Sequence, residues 1–470
     1  MSNLLVMNST KKFRQGLHPD QVLLVPQTLR DWLDDDHPVF AVSDLVDEMD
    51  LGPILKAYGE RRGQPPYDPV VMVKVLVYAY ARGIRSSRLI ERACQDDVGF
   101  RYLTGQQRPH FTTIAAFRRR HHEALGRLLE ESVRLARRAG LLVGGGDVSV
   151  DGTKIKANAS RHSAMSYGRM TAEELKLHAE VERYLSAAEA EDRDEDRRYG
   201  KKGRGWTLEA KLADRRARLA KIAEAKAALE AEAKERAAKE QEERRVQAQA
   251  QGREFHPQVD PQTAKPRAKD QRNFTDPESR IMLNSEKAFI QGFNAQAAVD
   301  VNSMLVVAAD LSAQAADSPH LLRMVDQATA TVGVRPSGVL ADAGYYSQEN
   351  LEGLRERGIE GFIPPQRVTH TQWREMKPAR GRIPKRATER ERMARKLRTK
   401  RGRLRYDRRK ETVEPVFGYI KQVQGFRQLL LRGLAKARSM WRFECAVYNV
   451  MKMVRAGVSL QLGMREARMA

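Results

Sequence analysis

Asp151 in VSVDGT, Asp342 in VLADAGY and Glu414 in ETVEPVFGY are three carboxylic acids set in three different local patterns. Cleaving a phosphodiester at neutral pH needs an activated water and a stabilised 3′ oxygen as leaving group. Two Mg²⁺ ions roughly 4 Å apart supply both. Mg²⁺ takes hard oxygen ligands and keeps several of its waters, so a few carboxylates on rigid, converging elements suffice. Each acid also has an ordinary reading. Asp-Gly at 151–152 can simply make a turn. Asp342 can cap a helix or close a loop, and Glu414 suits the first turn of a helix, where the dipole favours an acid. Other acids compete. Asp147 is the first alternative to Asp151, and Glu411 the alternative to Glu414, while Asp300 and Asp310 end the strands that follow. His320, in DSPHLL, reads as a residue at a helix start rather than a ligand, and no zinc-type spacing occurs anywhere.

The elements that must position these acids are legible in part. Val148, Val150 and Ile155 alternate around Asp151 and predict a strand, after three glycines that end a helix. AFIQGFNAQAAVD and SMLVVAADLSAQ predict a strand pair turning near Asn302. GVLADAG predicts a short buried strand that meets a loop at Asp342, and EGFIPP a last strand. Amphipathic helices are predicted between these, over HLLRMVDQATATVG and QENLEGLRERG. This order predicts an α/β domain interrupted after its first strand. Glu414 falls at the predicted start of a helix entered at Pro415, and SMWRFECAVYNVMKMVRAG predicts a final helix packed on the sheet.

Upstream, Asp68 with Pro69 predicts a helix start and Gly83 a stop, in YDPVVMVKVLVYAYARGI. SSRLIERACQDD predicts a serine-capped helix, and a third begins near Thr112. Two short helices and a basic third one resemble a helix-turn-helix arrangement, in which Arg118, Arg119 and Arg120 would face DNA. A solvated basic face on an ordinary bundle is the alternative. Residues 161–280 read as an insertion. It opens on a capping box, Thr171 with Glu174, and passes a charged break, EDRDEDRRYGKKGRG. It continues as an Ala-, Glu-, Lys- and Arg-rich helix or helical hairpin. Leu212, Leu219, Ile222 and Leu229 form a thin seam there, interrupted by Arg215 and Lys226.

The chain of 470 residues carries a net charge of +23, which implies a polyanionic partner, with nucleic acid as first candidate. The basic run from Arg380 to Lys410 leads into the Glu414 helix, so contact with a phosphate backbone is expected there. No segment approaches the roughly 20 apolar residues of a membrane span. The first residues, MSNLLVMNSTKKFRQG, lack an apolar run with a cleavage site. The two cysteines, Cys94 and Cys445, lie far apart in apolar helical patterns and form no disulfide framework, which fits a reducing cytoplasm.

VSVDGTKIKANAS, NFTDPESRIM, VLADAGYYS and YDRRKETVEPVFGYIK together resemble the DDE transposases of bacterial insertion sequences, in the branch with a tyrosine–arginine–glutamate–lysine signature. The resemblance covers most of the chain, including Tyr67 to His121. The signature corresponds to Tyr406, Arg409, Glu414 and Lys421. The arginine-to-glutamate gap is one residue longer than usual, which leaves Lys410 as an alternative to Arg409.

The resemblance implies a ribonuclease-H-like mixed sheet with flanking helices. Its first and fourth strands are neighbours, bringing Asp151 and Asp342 together. It implies a helical DNA-binding domain over 1–140, a catalytic domain over 141–160 and 281–470, and the insertion between. It implies two Mg²⁺ or Mn²⁺ ions held by Asp151, Asp342 and Glu414. Tyr406, Arg409 or Lys410, and Lys421 would lie on phosphates and terminal bases, with Asn294 and Gln296 as a supporting motif. The expected activity is metal-dependent cleavage at insertion-sequence ends and strand transfer into target DNA, in the cytoplasm at the nucleoid. A homodimer is expected on paired ends. The alternatives are a nuclease without joining activity and a catalytically inactive or domesticated DNA-binding descendant.

Overall fold

The computed structural model describes residues 28–59, 65–198, 206–257, 260–284, 286–367, 370–384 and 386–458. The opening stretch of the chain, which bears on a leader, and residues 199–205 of the charged break lie outside the described residues. The helical region begins with α1 (Pro38–Asp47), α2 (Gly52–Leu55), α3 (Pro69–Ala81), α4 (Ser87–Asp96), α5 (Val98–Thr104), α6 (Phe111–Arg120) and α7 (His122–Arg138). Asp68 caps α3 as expected, its carboxylate accepting from the Val70 amide with Pro69 in the first turn. Gly83 follows the end of α3 at φ +72°, a conformation glycine adopts without a Cβ penalty. The cap of α6 is His110 rather than Thr112, because its ring nitrogen accepts from the Thr112 amide.

The first strand, β1 (Asp147–Lys156), precedes the excursion. A small ladder of β2 (Ala164–Ser166) with β3 (Gln271–Asn273) closes the base of a hairpin formed by α8 (Tyr167–Arg198) and α9 (Trp206–Ala250). Helix α8 starts before the expected capping box, so Thr171 lies inside it and its hydroxyl donates to the Tyr167 carbonyl. Met170, Leu177, Ile222, Ala225 and Leu229 make a thin core between the two helices. Arg215 and Lys226 do not break this seam. They flank it, paired across the hairpin with Glu180 at 3.1 Å and Glu174 at 2.5 Å.

The chain returns through β4 (Arg280–Leu283), β5 (Phe289–Asp300), β6 (Val306–Ser312), α10 (Leu321–Val332), β7 (Gly338–Ala341), α11 (Gln348–Glu356) and β8 (Glu360–Phe362). The mixed sheet runs β4-β5-β1-β7-β8, with β6 also paired to β5. Strand β1 is antiparallel to β5 and parallel to β7, and β7 is parallel to β8. This architecture is compatible with a ribonuclease-H-like fold. Its first strand and its fourth core strand, β7, are neighbours.

The last helices are α12 (His370–Glu375), α13 (Glu389–Arg398), α14 (Lys400–Gln422) and α15 (Leu434–Arg455). Trp441, Phe443, Cys445, Val447, Val450 and Met453 of α15 are buried. They pack on β6 to one side and on α3 and α7 to the other, so the amino-terminal helices share one continuous hydrophobic core with the sheet. Asn449 ties this sandwich together. Its amide bonds both the N–H and the carbonyl of Val306 in β6 and donates to the Ser132 hydroxyl in α7.

Candidate active site

The strand register sets the site. In the parallel pair β1–β7, Val150 stands opposite Ala341, so Asp342, just past the carboxyl end of β7, comes beside Asp151, which lies in the middle of the longer β1. Ligands of α/β sheets gather at such ends. Asp342 continues into a tight turn, its carboxylate accepting from the Gly344 amide at 2.8 Å. Burial pushes the Asp151 carboxyl up to about 6; the neighbouring Arg409 cation opposes the rise, while Asp342 and Asp317 add to it.

Glu414 arrives on α14, but not at its start. The helix begins at Lys400, capped by Thr399, and carries Pro415 inside it. Proline removes one backbone donor from a helix interior. Here Arg409, Thr412, Val413, Val416, Phe417 and Ile420 keep a buried face at helical spacing through the proline, and that packing carries the helix across it. Arg409 joins the acids. Its guanidinium lies 3.0 Å from the Asp151 carboxylate and 3.5 Å from that of Glu414. Further along the same helix, the Lys421 ammonium donates to the Thr153 hydroxyl. Thr153 is two residues beyond Asp151, on the same face of β1.

Tyr406 packs among Leu340, Phe362 and Leu397, edge-on to Trp373, and burial holds its hydroxyl up at about 12. An open cavity of about 580 Å³ adjoins it, lined by Asp342, Trp373, Tyr406, Arg409, Lys410 and Glu411 among others. Lys410 is exposed on its wall, whereas Arg409 is buried against the acids. Glu411 reaches the same cavity as Asp342, while Glu414 shares Arg409 with Asp151.

The rival acids are otherwise engaged. Asp147, at the opposite end of β1 from Lys156, is clamped by Arg405 and by the Ser337 hydroxyl. Asp300 caps the turn at Asn302 and Ser303, and Asp310 pairs with Arg323 and Arg438. His320 is buried just ahead of α10, where burial lowers its pKa.

The three arginines of α6 separate. Arg118 does not face outward with its neighbours. It is turned into the bundle, donating to the Tyr80 hydroxyl, the Ser87 hydroxyl and the Arg85 carbonyl. The register of α6 buries Ile114, Phe117 and Arg118 together. Arg119 is exposed, and Arg120 lies over the Tyr58 ring while donating to the Ala57 carbonyl. The basic run is also partly spent inside the fold. Arg405 pairs with Asp147 and Glu360, Lys396 with Glu360, and Arg408 donates to the Val301 carbonyl.

Sequence reading passed over Asp317 and Lys154. The Asp317 carboxylate accepts from Asn294 at 2.7 Å and Gln296 at 2.9 Å, and from Lys154 at 3.2 Å. Both amides belong to the FNAQ motif, but Asp317 stands 21 residues beyond Gln296 and carries no spacing signal of its own.

Among the described residues, no three His, Cys, Asp or Glu side chains stand close enough to hold an ion in this arrangement. The cation between Asp151 and Glu414 is the Arg409 guanidinium. The donor set is nonetheless oxygen-only and suits Mg²⁺ or Mn²⁺ rather than zinc. A positive charge at this place offsets the cost of burying Asp151.

Two family models match the chain: a Transposase domain (DUF772) over residues 27–120 and a Transposase DDE domain over residues 259–450. No curated protein and no solved structure matches it significantly.

Proposed function

Since this chain belongs to the DDE transposases of insertion sequences, we propose that it cuts DNA at the ends of its element and joins the freed 3′ hydroxyl to target DNA. The observation that carries this reading is the adjacency of Asp151, within β1, and Asp342, just past the end of the neighbouring parallel strand β7, with Glu414 brought alongside by the Arg409 bridge. Asp151, Asp342 and Glu414 would hold two divalent ions, which when bound activate the attacking water or hydroxyl and stabilise the departing oxygen. Binding them requires Arg409 to move off the carboxylates. Its fork then suits a phosphate oxygen pair, while Lys410 on the cavity wall and Lys421 supply point charges. Tyr406 walls the cavity beside Asp342 and keeps its proton, so it donates rather than repels beside a phosphate. Exposed arginines, Arg119 among them, would contribute sequence-independent contact with the DNA backbone.

Pairing two ends calls for two protomers, and the α8–α9 hairpin is the proposed contact between them. Light scattering that finds a monomer with and without paired ends would remove that part. Incubation of the element's end DNA with Mg²⁺ or Mn²⁺ tests the whole. Wild type is expected to give cleaved and joined products, and Asp342→Ala neither, with DNA binding retained. Cleavage without joining would make the protein a nuclease, and binding without products in wild type would make it a non-catalytic DNA-binding protein.

A further inference from the structure

The polar groups behind the acids form a chain whose direction is set at one end. Asp317 follows β6 and immediately precedes the residues that lead into α10. Its Oδ1 receives three donors: Lys154 Nζ, Asn294 Nδ2 and Gln296 Nε2. An ionised carboxylate can only accept. It therefore fixes which way both amides point. The Gln296 nitrogen is used toward Asp317 and the Asn294 oxygen, so Gln296 Oε1 faces the other way. There it accepts from the Tyr345 hydroxyl, which must donate. Asn294, Gln296 and Tyr345 are fully buried, so none has water as a substitute partner. Tyr345 belongs to the turn Asp342–Tyr345 that presents the Asp342 carboxylate.

The packing leaves no slack. A Cβ at Gly152, the residue after Asp151, would stand 2.3 Å from Gln296 Nε2 and 2.7 Å from Asp317 Oδ1. A Cβ at Gly344 would stand 3.0 Å from Asp342 Oδ1 and 3.7 Å from Asp317 Oδ2. Asp317 thus sits between the segments that carry the two aspartates, touching the backbone space of both.

We infer that Asp317 is a positioning residue for this site: acting through Gln296 and Tyr345, it holds the Asp342 turn in the geometry the reaction needs. The inference rests on the proposed function for its catalytic consequence, but the ordering of the turn stands independently of it. In Asp317→Asn the group facing the amides becomes either an uncharged oxygen or an NH2 that opposes their donors, and the constraint that orients Gln296 is weakened. In Tyr345→Phe the last link is cut and the first is left intact. Outer partners of metal ligands are typically worth about 10–100-fold in activity or metal affinity.

The experiment measures amide hydrogen exchange at Gly344 and Tyr345, together with Mn²⁺ affinity and end cleavage, in the full chain. Wild type, Asp317→Asn, Tyr345→Phe and the double variant are compared. Expected are faster exchange confined to the turn in each single variant, about 10–100-fold losses of Mn²⁺ affinity or kcat with DNA affinity kept, and no further loss in the double variant. Additive losses, or a turn that exchanges as in wild type, would overturn the inference. So would losses that track only a lower melting temperature and vanish on cooling. If wild type shows no cleavage while the turn responds as expected, the positioning role stands and the catalytic reading of the site falls.

Discussion

The sheet and the α8–α9 hairpin handle charge in opposite ways. Around β1, β5 and β7 the polar groups next to the acids are largely buried and held by directed partners, from Arg409 on Asp151 to Gln296 on Asp317. In the hairpin the charges lie at the edge of a thin apolar seam, in pairs such as Lys226 with Glu174 and Arg218 with Glu173. A buried charge that loses its partner keeps its desolvation cost, whereas a surface charge returns to water. The sheet can therefore hold reactive groups in one geometry, and the hairpin tolerates change. Substitutions in the two regions should differ accordingly.

The largest expected effect is on chemistry. Asp151→Ala and Asp342→Ala should each lower end cleavage by more than about 100-fold, beyond what outer partners typically cost, with DNA binding retained in a gel-shift titration. Arg409→Ala should be next. It leaves Asp151 buried without its cation, at a cost of about 3 kcal/mol in the metal-free protein. Mn²⁺ should then raise the melting temperature of this variant more than that of wild type, because the ion replaces the missing charge. Equal shifts would mean that the ion does not sit against Asp151.

Asn449→Leu tests the seam between the helices and the sheet. It strips Val306 of both its side-chain partners and should cost about 2–3 kcal/mol in urea unfolding. A neutral result would show that the seam relaxes as the hairpin does.

The raised carboxyl of Asp151 predicts a pH dependence. Below about 6 the residue holds a proton that must leave before an ion binds, so Mn²⁺ affinity should weaken about tenfold per unit below that pH and level off above it. The same shift has a second sign to check. An unfolded aspartate ionises near 3.8, but Asp151 in the fold does so only at about 6, so its contribution to metal-free stability should fall as pH rises between those values. Calorimetry across pH 4–7 reads both, set against an Asp151→Asn control.

The smallest effect belongs to the hairpin. Lys226→Ala or Glu174→Ala should change stability by about 0.5–1 kcal/mol and leave cleavage unchanged. A loss of cleavage in either variant would bring the hairpin into the reaction and end the contrast with the sheet.

The sequence by itself determined the strands that carry Asp151 and Asp342, the interruption between them, and the buried character of α15. Period-two alternation, glycine punctuation and apolar helical spacing are local signals, and a short window contains all that they need. Residue types likewise sufficed for Asp68 with Pro69 to start α3, whereas they left several acids in competition.

Only the tertiary structure decided which partner each acid meets. Asp147 and Asp151 lie on one strand four residues apart, and Arg405 engages the first and Arg409, four residues on, the second, because α14 runs alongside β1. The same packing carried α14 through Pro415, turned Arg118 inward, and used several arginines of the basic run within the fold. Asp317 could not be found from its own surroundings in the chain. Its role comes from side chains on β1 and β5 that long-range strand pairing brings to it, and a local pattern holds no record of such a partner.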